Sequence, residues 1–212
     1  MNNLVQYKHI IWDWNGTLID DAHVFVDVLN VLLKRRRLGV INLHRYRELF
    51  CFPIKDFYKK IGLDVSDTAF AQLKIEFVNE YNKRQYEAKL FIRTQSMLQK
   101  LQNNKLLFVL SASNQNTLNK LIKYYGIQRY FQHIIGVDNY IADGKIEQGK
   151  ELIKKINGSI HEMVLVGDTD HDYEVATNLG IDCILISHGH QSRARLNNLN
   201  SQVIENLDQL LE

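Results

Sequence analysis

A doubly wound α/β fold, with a parallel sheet between two layers of helices, is predicted for this 212-residue chain. Three observations predict it. Short apolar runs recur along the sequence, and the decisive ones end in a polar residue: Asp13, Ser111 and Asp168. Segments of helical periodicity separate these runs, and strand–helix alternation builds parallel sheets. A block with helical periodicity only, residues 20–90, interrupts the alternation directly after the first run. It reads as an inserted α-helical cap domain on a core formed by residues 1–19 and 91–212.

The elements follow in order. Residues 9–12, His-Ile-Ile-Trp, are a buried strand closed by the turn pair Asn15-Gly16. Residues 21–37 are a helix, since Val24, Phe25, Val28, Leu29 and Leu32 recur at spacings of three and four. Asn42 caps a helix through residue 50, and Pro53 opens another to about residue 61. Ser66 caps a longer one, with Phe70, Leu73, Phe77 and Tyr81 on one face. Strands are expected at 106–110, 134–137, 163–166 and 183–186. Helices are expected up to Tyr125, over 149–156 and over 172–179, with Gly126 and Gly180 as stops. Residues 203–211 close the chain as a strand edge and a helix.

Composition narrows the class. Hydrophobic residues are 45% and charged residues 24%, so a packed core is expected and disorder is not. The net charge of +2 is too mild to demand a nucleic-acid partner. The run Lys34-Arg35-Arg36-Arg37 reads as a solvated helix C-terminus, or else as an anion or partner contact. No apolar run approaches the roughly 18 residues of a membrane span, and no signal peptide is visible. Cys51 and Cys183 are too few for a disulfide framework and read as packing residues. A cytoplasmic protein, monomer or homodimer, without membrane or nucleic-acid partners, is the expectation.

In open parallel sheets, ligands bind beyond the carboxyl ends of the strands. Four features lie there in sequence order: Asp13-Trp14-Asn15-Gly16-Thr17-Leu18, then Ser111, then Ala142-Asp143-Gly144-Lys145, then Gly167-Asp168-Thr169-Asp170-His171-Asp172. Together they resemble the four motifs of the haloacid dehalogenase superfamily, in its branch with a helical cap after the first motif and a Rossmann-like core. The resemblance covers nearly the whole chain. It implies a hydrolase that cleaves a small phosphorylated metabolite, with Asp13 attacking phosphorus to form an aspartyl-phosphate. It also implies Mg²⁺ held by Asp13, the Asn15 carbonyl, Asp168 and Asp172. Gly16, Thr17, Ser111, Ala112 and Lys145 would receive the phosphate, Lys145 also neutralising charge on the nucleophile. Lys150 is a rival for that lysine. Asp170 reads as a solvated or capping residue. The chemistry agrees, because phosphoryl transfer rests on positioning and charge neutralisation, and Mg²⁺ takes oxygen ligands.

One position departs from the family. Most phosphatases of this kind carry an aspartate where Asn15 stands, to protonate the leaving group and activate water. An amide does neither near neutral pH. Three readings follow: slow turnover or a good leaving group, a proton from another group such as a cap residue or His171, or a different role. The different roles are phosphonate or carbon–halogen cleavage and phosphate-ligand binding. A phosphonate cleaver would need a cap lysine, for which Lys55, Lys59 and Lys60 are available. Arg45, Arg47, Lys55 and Tyr58 could meet a second anionic group or lie on the surface. The stretch Phe50-Cys51-Phe52-Pro53-Ile54 resembles the cap loop of phosphoglycolate phosphatase-like members, which implies phosphoglycolate as substrate. Residues 187–193 read as a loop at the site's rim that touches substrate, rather than as a metal pair of His188 and His190.

Overall fold

The computed structural model describes residues 4–138 and 144–211. Strands β1 (His9–Trp12), β4 (Leu106–Asn114), β5 (Phe131–Val137), β6 (Met163–Gly167), β7 (Asp182–Ile186) and β8 (Gln202–Ile204) form one parallel sheet in the order β5-β4-β1-β6-β7-β8. The first strand is central. The chain leaves it toward β4 and β5, then returns to its other side for β6. That reversal puts a topological switch point at the carboxyl end of β1, where a crevice forms. Register brings the polar ends together, with Trp12 opposite Val109 on β4 and Val166 on β6.

Side chains alternate across the pleat, so each strand feeds two cores. Ile11, Phe108, Leu110 and Leu165 pack with Leu152 of α7 (Lys145–Lys155) and Val175 of α8 (Asp170–Leu179). Ile10, Trp12, Val109 and Val166 face the other way, toward α5 (Thr94–Leu101) and α6 (Gln115–Tyr124). Each fully buried aliphatic side chain contributes about 1.5–3 kcal/mol relative to exposure, so the flat apolar runs of the central strands are what hold the sheet in place.

Four helices lie between a short antiparallel ribbon of β2 (Ile19–Asp20) and β3 (Lys89–Leu90): α1 (Ala22–Arg35), α2 (Leu43–Leu49), α3 (Ile54–Lys60) and α4 (Asp67–Arg84). Asn42 caps α2, its side chain accepting from the Arg45 N–H. In the basic run at the end of α1, Lys34 and Arg37 are exposed, as a solvated helix terminus would be, while Arg35 and Arg36 form a clamp. Arg36 makes two bonds to Glu76 at 2.9 and 3.1 Å, and Arg35 meets Glu80 at 2.5 Å, tying α1 to α4.

Several boundaries differ from the sequence reading. Helix α7 begins at Lys145, four residues early, because Gly144 takes φ +97° and turns the chain into the helix. Helix α8 begins at Asp170 through a capping box in which Thr169 and Asp172 satisfy each other's N–H groups. Strand β4 runs on through Ser111 to Asn114. The ribbon β2–β3 and the short helix α9 (Arg193–Leu196) are too short to show a period and escape it altogether, and helix α5 is missed although Met97, Leu98 and Leu101 recur on one buried face. Of the third motif, Ala142 and Asp143 lie outside the described residues. Both cysteines are free thiols, Cys51 buried and Cys183 partly so. Among the described residues, no helix is long and apolar enough to cross a membrane.

Candidate active site

Asp13 follows β1, and its N–H is held by the Val166 carbonyl at 2.9 Å. Asp168 follows β6, and Asp172 sits one turn into α8. These three buried carboxylates bring one oxygen each within 4.8 Å of one another. Lys145, at the start of α7, reaches between two of them, 2.5 Å from Asp13 Oδ1 and 2.6 Å from Asp172 Oδ1. Lys150 instead pairs with Glu147 on the surface. Three acids around one lysine leave negative charge in a dry place. Burial, opposed by Lys145, pushes the Asp13 carboxyl up to about 6, and burial pushes Asp168 up to about 8. Burial also works against Asp172 and Lys145, but their mutual pairing wins: the acid is held below its ordinary value and the lysine above.

The donor set is all oxygen and carries excess negative charge, which fits a hard divalent cation such as Mg²⁺. Asp13 and Asp168 are the natural holders. Asp172 Oδ2 already accepts from the N–H groups of Asp168 and Thr169 and from the Thr169 hydroxyl. Asp168 is gripped on both oxygens, by the Thr17 hydroxyl at 3.0 Å and by the His190 N–H at 2.6 Å.

Other expected residues stand as follows. Ser111 is fully buried, its hydroxyl accepting from the Ser113 N–H at 3.1 Å, and Ser111 and Ala112 line the cavity beside Asp13. Gly16 and Thr17, expected to present N–H groups to a phosphate, direct them inward. The Gly16 N–H meets the Ile19 carbonyl and Asp21 Oδ1, and the Thr17 N–H meets the Trp14 carbonyl. What Gly16 supplies is room: at φ +74°, a Cβ there would collide with the Asp168 carboxylate and the His190 ring. Gly189 approaches the same carboxylate, so a side chain there would also displace it.

Asn15 is fixed from both sides. Its amide nitrogen donates to Asp21 Oδ2 at 2.5 Å, and its amide oxygen accepts from the Ser113 hydroxyl at 2.6 Å. Asp21 and Ser113 were missed by sequence reasoning. Asp21 precedes α1 and so looks like a helix cap, yet its carboxylate makes no capping bond. It is fully buried and gathers the Gly16 N–H, Asn15, the Tyr81 hydroxyl at 3.2 Å and His190 Nε2 at 3.2 Å. Burial disfavours the charge on His190, but Asp21 outweighs it and raises the imidazole above its ordinary value.

The rim loop lines the cavity through His190 and is also a clamp. Arg47 of α2 donates to the Gly189 and His188 carbonyls at 2.7 and 2.5 Å, and Gln191 and Arg195 donate to the Phe50 carbonyl at 3.1 and 2.8 Å. The same two side chains hold Asp170, each at 2.6 Å, so Asp170 is neither solvated nor a cap. His190 bonds Tyr46, while His188 stacks on Phe91 and meets the Thr17 carbonyl. The two rings are structural and do not converge on an ion.

Beneath the helices, a cavity of about 190 Å³ opens onto Asp13, Lys145 and Asn15. Its far wall is mostly aromatic, including Phe25, Phe57, Tyr58, Phe70, Phe77 and Tyr81. Arg45, Arg47 and Lys55 do not line it: Arg45 faces Glu48, and Lys55 pairs with Asp67. His171 does line it, stacked on Phe52 at 4.5 Å, and its Nε2 is buried without a hydrogen-bond partner.

A family model described as haloacid dehalogenase-like hydrolase matches residues 10–186. Tyrosine-protein kinase PtkA of Mycobacterium tuberculosis is 22% identical over 184 residues, 85% of this chain but 62% of PtkA, so the chain spans under two thirds of that relative. Pyrophosphatase PpaX of Listeria monocytogenes is 22% identical over 180 residues, 80% of this chain and 78% of PpaX. A haloacid dehalogenase-like protein of Streptococcus pneumoniae shares the fold with a TM-score of 0.80 at 19% identity, over 94% of both chains. So does a Lactobacillus delbrueckii protein provisionally named a phosphoglycolate phosphatase, at 0.83 and 17% over 97% of both.

Proposed function

The chain belongs to the haloacid dehalogenase-like hydrolases, and from that premise we propose that it is a Mg²⁺-dependent phosphatase acting on a small phosphorylated metabolite through an aspartyl-phosphate on Asp13. One observation carries the reading: Asp13, Asp168 and Asp172 crowd within 4.8 Å of one another, with Lys145 bridging two of them, at the switch point of the sheet. A carboxylate attacks an anionic ester only where cations offset the repulsion. Lys145 supplies one such charge, orienting Asp13 through Oδ1. Mg²⁺ bound between Asp13 and Asp168 would supply the rest of the neutralisation. Ser111, which lines the cavity, would hydrogen-bond a phosphoryl oxygen, and the helices above the site would exclude water.

The names PpaX and phosphoglycolate phosphatase among the similar proteins support phosphate-ester or anhydride hydrolysis as the reaction class. The three cap lysines singled out for carbon–phosphorus cleavage, Lys55, Lys59 and Lys60, do not line the cavity, and the cap lysine that does is Lys74. A second reading, phosphate-ligand binding with little turnover, is favoured by the locked amide at Asn15. The test is hydrolysis of acetyl phosphate and phenyl phosphate with Mg²⁺, by wild type and Asp13→Asn. The expected result is turnover by wild type, lost by at least about 10³-fold in the variant and with EDTA. Equal activity in both proteins sinks the assignment.

A further inference from the structure

We propose that the substrate is a small aryl phosphate, its ring held in the aromatic cavity beneath the cap helices and its phenolate leaving without a proton from the protein. The proposal rests on the phosphatase reading and names its substrate class. Two independent features of the same site converge on it: what residue 15 cannot donate, and what the cavity can hold.

Asn15 stands beside the nucleophile with both ends of its amide engaged, the oxygen by Ser113 and the nitrogen by Asp21. Asp21 lies behind it and does not line the cavity. No carboxyl group other than Asp13 and Asp172 lines the cavity among the described residues, and both of these are held by Lys145. His190 has one ring nitrogen on Tyr46 and the other on Asp21, while His171 lines the cavity with its Nε2 unpartnered and is the donor that the test below must exclude. An alkyl phosphate would have to expel an alkoxide, whose conjugate acid is about as weak as water, with a pKa of about 15.7. A phenol is acidic at about 10, as in tyrosine. Roughly six units of basicity separate the two leaving groups. A phenolate therefore departs where an alkoxide stalls.

The cavity fits the same leaving group. Its volume of about 190 Å³ compares with engineered apolar cavities of about 150 Å³ that admit benzene. Phe25, Phe77 and Tyr81 form one edge, with ring centroids 5.1–6.1 Å apart, and Phe57, Tyr58 and Phe70 follow one another along another. Among the described lining residues, Lys74 is the one cap lysine or arginine, its ammonium 5.0 Å from the Phe70 ring centre. A short carboxylate such as glycolate would find Lys74 as its one cap cation here and aromatic faces elsewhere on that wall. An aromatic ring gains edge and face contacts throughout.

An Asp13 carboxylate oxygen bonds to phosphorus as the phosphorus–oxygen bond to the ring breaks. That electron pair leaves on the phenolate, which takes its proton from solvent. Water then attacks the aspartyl-phosphate. The Asp13 carboxylate is released, and both water protons stay on the departing dihydrogen phosphate.

The test uses the full chain with Mg²⁺ and three substrate sets: substituted phenyl phosphates, alkyl phosphates including phosphoglycolate, and acetyl phosphate. The quantity read is kcat/KM, which reports the step that expels the leaving group. Expected are a steep rise as the phenol becomes more acidic, and phenyl phosphate ahead of alkyl phosphates by about 10²-fold or more, the usual worth of a missing general acid. Phenol should inhibit competitively and glycolate should not. A flat dependence that steepens in His171→Gln would overturn the proposal by identifying His171 as the proton donor. Alkyl phosphates matching aryl ones would overturn it too. If acetyl phosphate turns over and aryl phosphates do not, this proposal alone fails. If none turns over, the phosphatase reading fails with it.

Discussion

Replacing Asn15 with aspartate looks like a simple restoration of the family's acid–base group, but the structure predicts that it fails alone. The amide nitrogen of Asn15 is 2.5 Å from Asp21 Oδ2. A carboxylate at position 15 would face that oxygen, and two unit charges at 2.5 Å repel by about 6–7 kcal/mol at an effective dielectric near 20. The pair would avoid this by keeping one proton between them, as adjacent carboxyls do. That proton bridges residues 15 and 21 and is not offered to a leaving group. Exchanging the two side chains removes the conflict. In Asn15→Asp with Asp21→Asn, the same carboxylate–amide bond forms with its direction reversed, and the net charge is unchanged. The amide oxygen introduced at position 21 can still accept from the Gly16 N–H and from His190. The expected stability cost is about 1–2 kcal/mol, from the weakened pairing with His190. The expected gain on alkyl phosphates is about 10²–10⁴-fold over wild type, against little or none for Asn15→Asp alone. Steady-state kinetics on an alkyl and an aryl phosphate, with urea melts for all three proteins, measure both quantities. A single variant as active as the double would refute the part given to Asp21. A double variant that folds normally and gains nothing would refute the claim that residue 15 faces the leaving group.

Other predictions follow from the same geometry. Lys145→Met should destabilise the ion-free protein by about 3–5 kcal/mol in urea melts at pH 7, because it strands Asp13 and Asp172 in a buried site; a change under about 1 kcal/mol would contradict that pairing. Asp13 and Asp168 are raised from 3.8 to about 6 and about 8, so the folded chain keeps protons that the unfolded chain has released. Stability without Mg²⁺ should therefore fall as pH rises from about 4 to 8, and the Tm gain from Mg²⁺ should be larger at about pH 8 than at about pH 6. A Tm gain independent of pH would argue that the ion does not displace those protons. Arg47→Met removes two bonds from α2 to the rim loop and should cost about 1–3 kcal/mol while speeding amide hydrogen exchange around residues 43–52. Unchanged exchange there would show that the clamp does not hold the cap down.

Much of the fold and part of the site are legible in the sequence because their signals are local. Apolar runs such as Ile10–Trp12 and Met163–Val166 end in Asp13 and near Asp168, and parallel-sheet topology alone brings such ends together. The helical period of residues 22–35 and 67–84 identifies the insertion without any contact being known. Elements resting on few residues leave no period to read, as with the two-residue ribbon β2–β3. Three-dimensional packing alone decides the rest. In the sequence Asp21 is merely the first residue of a helix, and only the fold turns its carboxylate onto Asn15, Tyr81 and His190. His190 lies 169 residues further along the chain than Asp21. Arg35 and Arg36 look solvated until α4 brings Glu80 and Glu76 beside them. In each case a charged side chain reads locally as ordinary surface or turn chemistry, because its partner is distant in sequence. Burial and charge pairing depend on distance in space, which one-dimensional patterning does not encode.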